Sequence, residues 1–247
     1  MKNTLWNILV LLVGCIPRLW RAQFCRLSFA ASAKGSPDES CKELLLLQDN
    51  LFWYIDQSAI RYEGGLHPKH RLTNYHLYFS ERIKKGDKVL DVGCGIGAVA
   101  YNMAKHGAKV IGIDYDRAKI AHAQLKYNCP GLSFVEGDVT EALPDENFDV
   151  IVLSNVLEHI DDRKKLLKIL VSRFSPQRIL LRVPMINRDW TVPFKKELGL
   201  EFFCDPDHRI EYTAASFTAE MAAAGLEIRE LQINWGEIWA ETTVISS

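Results

Sequence analysis

Lys88-Val-Leu-Asp-Val-Gly-Cys-Gly-Ile-Gly-Ala98 is the stretch on which the fold of this chain turns. Val89, Leu90 and Val92 make a short apolar run of the kind a buried strand carries. The run breaks at Gly93, Gly95 and Gly97, and a helical apolar pattern resumes through Val99, Met103 and Ala104. Alternate glycines permit a sharp turn and let the backbone approach a ligand with no Cβ between them. A helix that starts directly afterwards points its free N–H groups at the same ligand. The spacing therefore predicts strand, nucleotide-type cofactor loop and helix, and leaves the cofactor to be decided.

Two cofactors compete. Gly93, Gly95 and Ala98 satisfy the dinucleotide fingerprint, with Asp114 about twenty positions on, where a ribose-binding acid belongs. A nicotinamide-linked enzyme fits that pattern. Asp91 argues against it, because a carboxylate beside a diphosphate is repulsive, whereas beside a sulfonium or an ammonium it is favourable. Three further strands end in suitable groups. Lys109-Val-Ile-Gly-Ile-Asp114 ends in an acid fit for ribose hydroxyls, Leu132-Ser-Phe-Val-Glu-Gly-Asp138-Val139 in one fit for an adenine amino group, and Phe148–Ser154 runs into Asn155-Val-Leu-Glu-His159-Ile. Converging strand ends are where open α/β sheets bind ligands.

Taken in order, VLDVGCGIG (89–97), VIGID (110–114), EGDV (136–139) and FDVIVLSNVLEHI (148–160) resemble the class I S-adenosylmethionine-dependent methyltransferases, over roughly residues 60–230. The resemblance implies a Rossmann-like, doubly wound, mostly parallel seven-stranded sheet with helices on both faces and an antiparallel C-terminal edge. It also implies S-adenosyl-L-methionine as cofactor. Gly93, Cys94, Gly95 and Gly97 would line its methionine and ribose portion, and Asp91 would hold the ammonium. Asp114 would take the ribose hydroxyls and Asp138 with Val139 the adenine, while Leu153 to Asn155 would close the site. Arg71 is the best match to an arginine that related enzymes place near the methionine carboxylate.

Methyl transfer needs positioning more than covalent help, with an optional base for the acceptor proton. His159, after the fourth strand, is the first candidate base, and His208 is the second. Ubiquinone-pathway O-methyltransferases carry a similar Glu-x-x-Glu-His segment that binds a divalent metal. Asn155 stands at the first of those positions, and His67, His70 and His76 have no adjacent Cys or acid, so no metal is expected.

At 247 residues and 48% hydrophobic, the chain is long enough for one full core. Its net charge of −1 provides no field for nucleic acid, and the short Lys/Arg groups at 84–85, 163–165 and 195–196 read as solvated helix faces. Cys15, Cys25, Cys41, Cys94, Cys129 and Cys204 show no metal-type spacing, and Cys94 sits inside the loop; this usage suits a reducing cytoplasm.

Leu5 to Cys15 is an apolar run, and Leu12-Val-Gly-Cys15 looks like a lipoprotein processing box. Only Lys2 precedes the run while Arg18, Arg21 and Arg26 follow it, the wrong asymmetry for export. A short helical or disordered extension is expected, with weak peripheral membrane contact as the alternative. The expected organisation is an extension over 1–41, its residues 31–41 a small-polar linker, and a methyltransferase domain over 42–247. A helix is expected near 42–58 and an irregular segment over 60–80. The strands are placed near 88–93, 109–113, 132–136, 148–154, 177–183, 226–234 and 238–246, with helices near 97–106, 116–128, 161–174 and 214–224. Residues 185–212 read as an irregular insertion that binds the acceptor.

The expected activity is methyl transfer to a small-molecule, glycan or lipid-linked acceptor, in the cytoplasm or at a membrane surface. The oligomeric state is left open. A NAD(P)-dependent oxidoreductase and a non-catalytic S-adenosylmethionine-binding subunit are the alternatives. Tyr101/Lys105 and Tyr115/Lys119 match the short-chain dehydrogenase spacing, but both follow the first two strands too early to reach a nicotinamide. Ser154-Asn155-Val156-Leu157 lacks the Asp/Asn-Pro-Pro-aromatic motif of nucleic-acid amino-methylases.

Overall fold

Residues 2–139 and 144–245 are described by the structure, a computed structural model. The chain divides into two compact units, Met1–Gly65 with Phe194–Glu201, and Leu66–Pro193 with Phe202–Ser247.

The first unit opens with α1 (Lys2–Gly14), α2 (Arg18–Ser32) and α3 (Pro37–Tyr62). Ser36 caps α3 by accepting from the Glu39 N–H, Pro37 occupies a first-turn position, and Asp38 and Glu39 face the helix dipole. The expected linker over 31–41 is therefore a break between Ser32 and Pro37 only, and the boundary set at residue 42 falls inside α3. Pro37 and the serines read as breakers in sequence, yet here they start a helix. No single helix among the described residues is long and apolar enough to cross a membrane. Leu5–Gly14 and Arg18–Ser32 pass such a test only as a pair bent by 118°.

In the second unit, α4 (Lys69–Thr73) and α5 (Tyr75–Glu81) replace the irregular segment expected over 60–80. They meet at Asn74, whose left-handed backbone (φ 50°) turns one helix into the next. Next come β1 (Lys88–Val92), α6 (Ala98–Lys105), β2 (Lys109–Asp114), α7 (Arg117–Lys126), β3 (Leu132–Glu136) and β4 (Val150–Ser154). After a 3-10 turn at Leu157–His159 follow α8 (Arg163–Phe174), β5 (Arg178–Pro184), α9 (Thr191–Glu197), α10 (Ala214–Ala223), β6 (Leu226–Asn234) and β7 (Glu237–Val244). Residue 246, the last of the expected seventh strand, lies outside the described residues.

The strands form one sheet in the order β3-β2-β1-β4-β5-β7-β6. β1 to β5 pair in parallel, and β7 runs antiparallel to both β5 and β6. Strand alternation divides the core. Leu90 and Val92 face a cluster with Leu153, Leu166, Leu170 and Phe217, while Val89 faces Val99, Met103, Val110 and Val152. Both faces are apolar, so helices cover both, as parallel sheets require. β1 and β4 are neighbours whose connections leave in opposite directions, and the crevice at their C-terminal ends is where such sheets bind ligands.

The 185–212 insertion is not one irregular element. A Met185–Tyr212 bridge closes its base, α9 lies within it, and Arg188 pairs with the buried Glu211. Residues 194–201 belong to the first unit instead, where Lys195 is buried and ion-paired with Asp49 of α3.

Candidate functional site

The glycine loop takes the shape its residues require. Gly93, Gly95 and Gly97 all have left-handed backbones, with φ of 64°, 54° and 82°. A Cβ on Gly97 would stand 2.5 Å from the Phe134 ring, whereas one on Gly95 would meet nothing within 4 Å. Gly97 thus permits close packing of helix on strand, and Gly95 leaves its side of the loop open. Asp114 fixes the loop from β2. Its Oδ2 accepts from the Gly95 N–H at 2.8 Å and its Oδ1 from the Asp116 N–H at 2.9 Å. Each oxygen keeps a lone pair for a further donor. The Gly137 N–H donates to the Asp114 carbonyl at 3.0 Å, which brings the Asp138–Val139 end of β3 alongside.

Two neighbouring cavities open at these strand ends. The larger, about 570 Å³, is lined by Gly93, Gly95, Asp114, Asp138, Val139, Asn155 and His159, with Tyr115, Lys119, Asp205, Asp207 and Arg209 among its further walls. That volume is in the range of small-molecule sites. The smaller, about 210 Å³, is lined by Asp91, Gly93, Cys94, Gly95, Ser154 and Asn155 on one side and by Lys69, His70, Tyr75 and Arg182 on the other. Gly93, Gly95 and Asn155 belong to both.

Two expected residues are elsewhere. Leu153 is fully buried in the core, because alternation along β4 turns it away from the crevice. Arg71 is exposed and lines neither cavity; the turn of α4 presents Lys69 and His70 instead. Gly97 shapes the loop without lining either cavity.

Asp91 is almost completely buried, and its Oδ2 has no hydrogen-bond partner among the described residues. Burial pushes its carboxyl up to about 8; an Ala100 N–H works against this and the Asp114 charge adds to it. A carboxyl buried in this way holds its proton until a cation arrives to pair with it. Arg182 does not supply it. Both of its terminal contacts go to Glu237, at 2.6 Å each, and its guanidinium stacks over the Tyr75 ring at 3.8 Å.

The turn after β4 carries a second polar cluster. The Arg209 N–H donates to the Glu158 carbonyl at 2.6 Å, so the insertion lies directly over this turn. The His159 and His208 rings meet edge to face at 4.6 Å. His159 lines the larger cavity, and His208 lies buried behind it. His159 Nδ1 is 3.5 Å from Asp207 Oδ2. His208 Nδ1 is 3.5 Å from Glu211 Oε1 and 3.7 Å from Cys204 Sγ. Burial and the neighbouring His208 hold His159 below the usual histidine range, outweighing Asp207 and Asp205. Burial also opposes a charge on His208, but its contacts with Cys204 and Glu211 and the charge of Glu158 raise it to about 10. Glu158 is fully buried, neither of its carboxylate oxygens has a hydrogen-bond partner among the described residues, and burial pushes it up to about 7. Sequence reasoning missed Tyr75 and Arg182 as site residues, and set Glu158 beside His159 after the fourth strand without giving it a role.

A doubly wound sheet with a glycine loop and carboxylates at its crevice defines a Rossmann-like nucleoside-binding domain. Residues 66–231, which carry β1 to β5 and the first part of β6, match the methyltransferase-domain family. A Mycolicibacterium smegmatis protein named "Probable S-adenosylmethionine-dependent methyltransferase" is 33% identical over 146 residues, covering 59% of this chain and 54% of that protein. The ubiquinone biosynthesis O-methyltransferase of Coxiella burnetii is 30% identical over 150 residues, covering 56% of this chain and 61% of the relative. The matches thus span little more than half the length of these relatives. In structure, the chain is similar in fold to the magnesium protoporphyrin IX methyltransferase of Synechocystis, with a TM-score of 0.55 and 19% identity, covering 70% of this chain and 80% of the other. The chain belongs to the methyltransferase-domain family, within the class I S-adenosylmethionine-dependent methyltransferases.

Proposed function

We propose that this protein moves a methyl group from S-adenosyl-L-methionine to a small-molecule, glycan or lipid-linked acceptor. The observation that carries the reading is the Asp91 oxygen, buried without a partner beside an open glycine loop. That combination suits a cationic adenosyl ligand and penalises a diphosphate. In this reading Asp114 takes the ribose hydroxyls on its remaining lone pairs, and Asp138 with Val139 borders the adenine. Asp91 meets the ammonium, Lys69 and His70 face the carboxylate, and Asn155 stands between the two cavities. The cofactor supplies a methyl group activated by its positive sulfur. When bound, it would offer that carbon to in-line attack by the acceptor, and its sulfur would take back the electron pair of the broken carbon–sulfur bond. His159, held neutral and lining the larger cavity, receives the acceptor's proton.

The test is calorimetric titration with S-adenosylhomocysteine and, separately, NADH. Binding of the first and not the second is expected. The reverse result would discard the methyltransferase reading in favour of an oxidoreductase.

Among the three acceptor classes, the lipid-linked one has an observation of its own. Residues 1–37 contain Lys2, Arg18, Arg21, Arg26 and Lys34 and no Asp or Glu. Leu9, Leu12, Leu19, Trp20, Phe24 and Leu27 of the same stretch are exposed. Cationic, apolar helices of this composition lie on anionic membrane surfaces.

A further inference from the structure

His208 is buried between two buried acids. Its Nδ1 lies 3.5 Å from Glu211 Oε1, and Glu158 brings a carboxylate oxygen within 4.8 Å of a ring nitrogen of both His208 and His159. Neither oxygen of Glu158 has a hydrogen-bond partner among the described residues. Burial strips a carboxylate of water, so it draws on whatever nearby group can carry a positive charge. The arginines around the cluster are committed elsewhere. Arg188 binds Glu211, and Arg182 is held by both oxygens of Glu237. Glu158, Glu211 and Arg188 together leave one negative charge, and a protonated His208 cancels it. The cluster joins the turn after β4 to the far end of the insertion, where the Arg209 N–H donates to the Glu158 carbonyl. His159 lies against the outer side of His208, ring to ring at 4.6 Å. A second positive charge this close to the first is unfavourable. The other charges facing His159 are Asp207, 3.5 Å from its Nδ1 but exposed to solvent, and Asp205 and Lys119. Those facing His208 are Glu158 and Glu211, with the Cys204 thiol 3.7 Å from its Nδ1.

We propose that Glu158, Glu211 and His208 are positioning residues for His159: the two buried carboxylates hold His208 as a fixed imidazolium, and that cation keeps the neighbouring His159 ring neutral and ready to take a proton. Asp207 faces Nδ1 of His159 and favours the proton there, which leaves the lone pair on Nε2. A proton lost by the acceptor goes to Nε2, and Asp207 offsets the charge that forms. His208 itself neither gains nor loses a proton in the step. The burial of Glu158 and His208 thus acquires a purpose that packing alone does not give it, since a buried charge cluster costs stability unless its members are paired. Only in giving His159 a proton to receive does this inference rest on the proposed function.

The experiment follows the histidine Cε1–H resonances of the full chain by NMR as pH is raised, with His159 and His208 assigned from their single Gln variants. In the wild type His159 should titrate below the usual histidine range, while His208 keeps its charge to about pH 10. In His208→Gln, which leaves Asp207 and Asp205 in place, the His159 midpoint should rise by about one pH unit. In Glu158→Gln, the His208 midpoint should fall by about one unit or more. Glu158→Gln exchanges a buried carboxyl for a neutral amide of the same size, so it decides the matter alone if His208→Gln does not fold. The proposal falls if His208 titrates near the ordinary histidine value in the wild type. It also falls if the His159 midpoint is the same in wild type and His208→Gln, or the His208 midpoint the same in wild type and Glu158→Gln, as contacts that only pack would give. The titration needs neither cofactor nor acceptor, so failure to bind S-adenosylhomocysteine would count against the proposed function and leave these midpoints to be judged separately.

Discussion

Asp91 holds a proton that its unfolded counterpart would have released. Its carboxyl sits at about 8 in the folded chain, against the ordinary carboxylate range when unfolded. Between those values the folded state binds the extra proton, so its contribution to stability falls as pH rises through that window. Asp91→Asn should remove this contribution. Measured by denaturant titration from pH 5 to 8, the variant should gain stability relative to wild type as pH rises, while its affinity for S-adenosylmethionine drops. A constant difference across pH would show that Asp91 is already ionised. Asp114 works differently, since its oxygens already accept from the Gly95 and Asp116 N–H groups. Asp114→Ala should cost cofactor binding roughly 1–3 kcal/mol and also loosen the loop; calorimetry with S-adenosylhomocysteine checks it. His159→Ala should cut turnover on the order of 10²-fold with cofactor affinity unchanged. A wild-type rate would leave His159 no part in the chemistry.

At the scale of elements, the glycine loop separates packing from binding. Gly97→Ala combines a left-handed backbone with a Cβ 2.5 Å from Phe134, so a stability loss of about 2 kcal/mol or more is expected. Gly95→Ala has open space and should cost only about 1 kcal/mol. Its Cβ would nevertheless point into the space left for a ligand, so it should be the more damaging of the two to S-adenosylhomocysteine binding per unit of stability lost. Denaturation midpoints and calorimetry on both variants decide this, and equal ratios would refute the division of labour. This loop was legible in sequence because its causes are local: an apolar run, then glycines, then a helical period. β1 to β7 and α6, α7, α8 and α10 were readable within a few residues for the same reason. The insertion was not. Whether residues 185–212 form one element depends on Lys195 finding Asp49 and Arg188 finding Glu211, pairings that no spacing announces.

For the whole molecule, charge is segregated rather than large. The net charge is −1, yet residues 1–37 are purely cationic. The full chain should therefore sediment with vesicles containing phosphatidylserine and not with phosphatidylcholine alone, and added salt should release it. Replacing Arg18, Arg21 and Arg26 together by Glu should abolish the effect. Equal binding to neutral vesicles, or none to either kind, would remove the support for a lipid-linked acceptor.

The sequence by itself determined the sheet, the position of its glycine loop and the acids at its strand ends. These follow from hydrophobic periodicity and backbone freedom, which act over a few residues. Only the tertiary structure decided that Leu153 faces the core, that Lys69 and His70 rather than Arg71 reach the crevice, and that His208 stands against Glu158 and His159. Those outcomes depend on which way a strand turns its side chains and on contacts across some fifty residues of chain, distances over which local propensity carries no information.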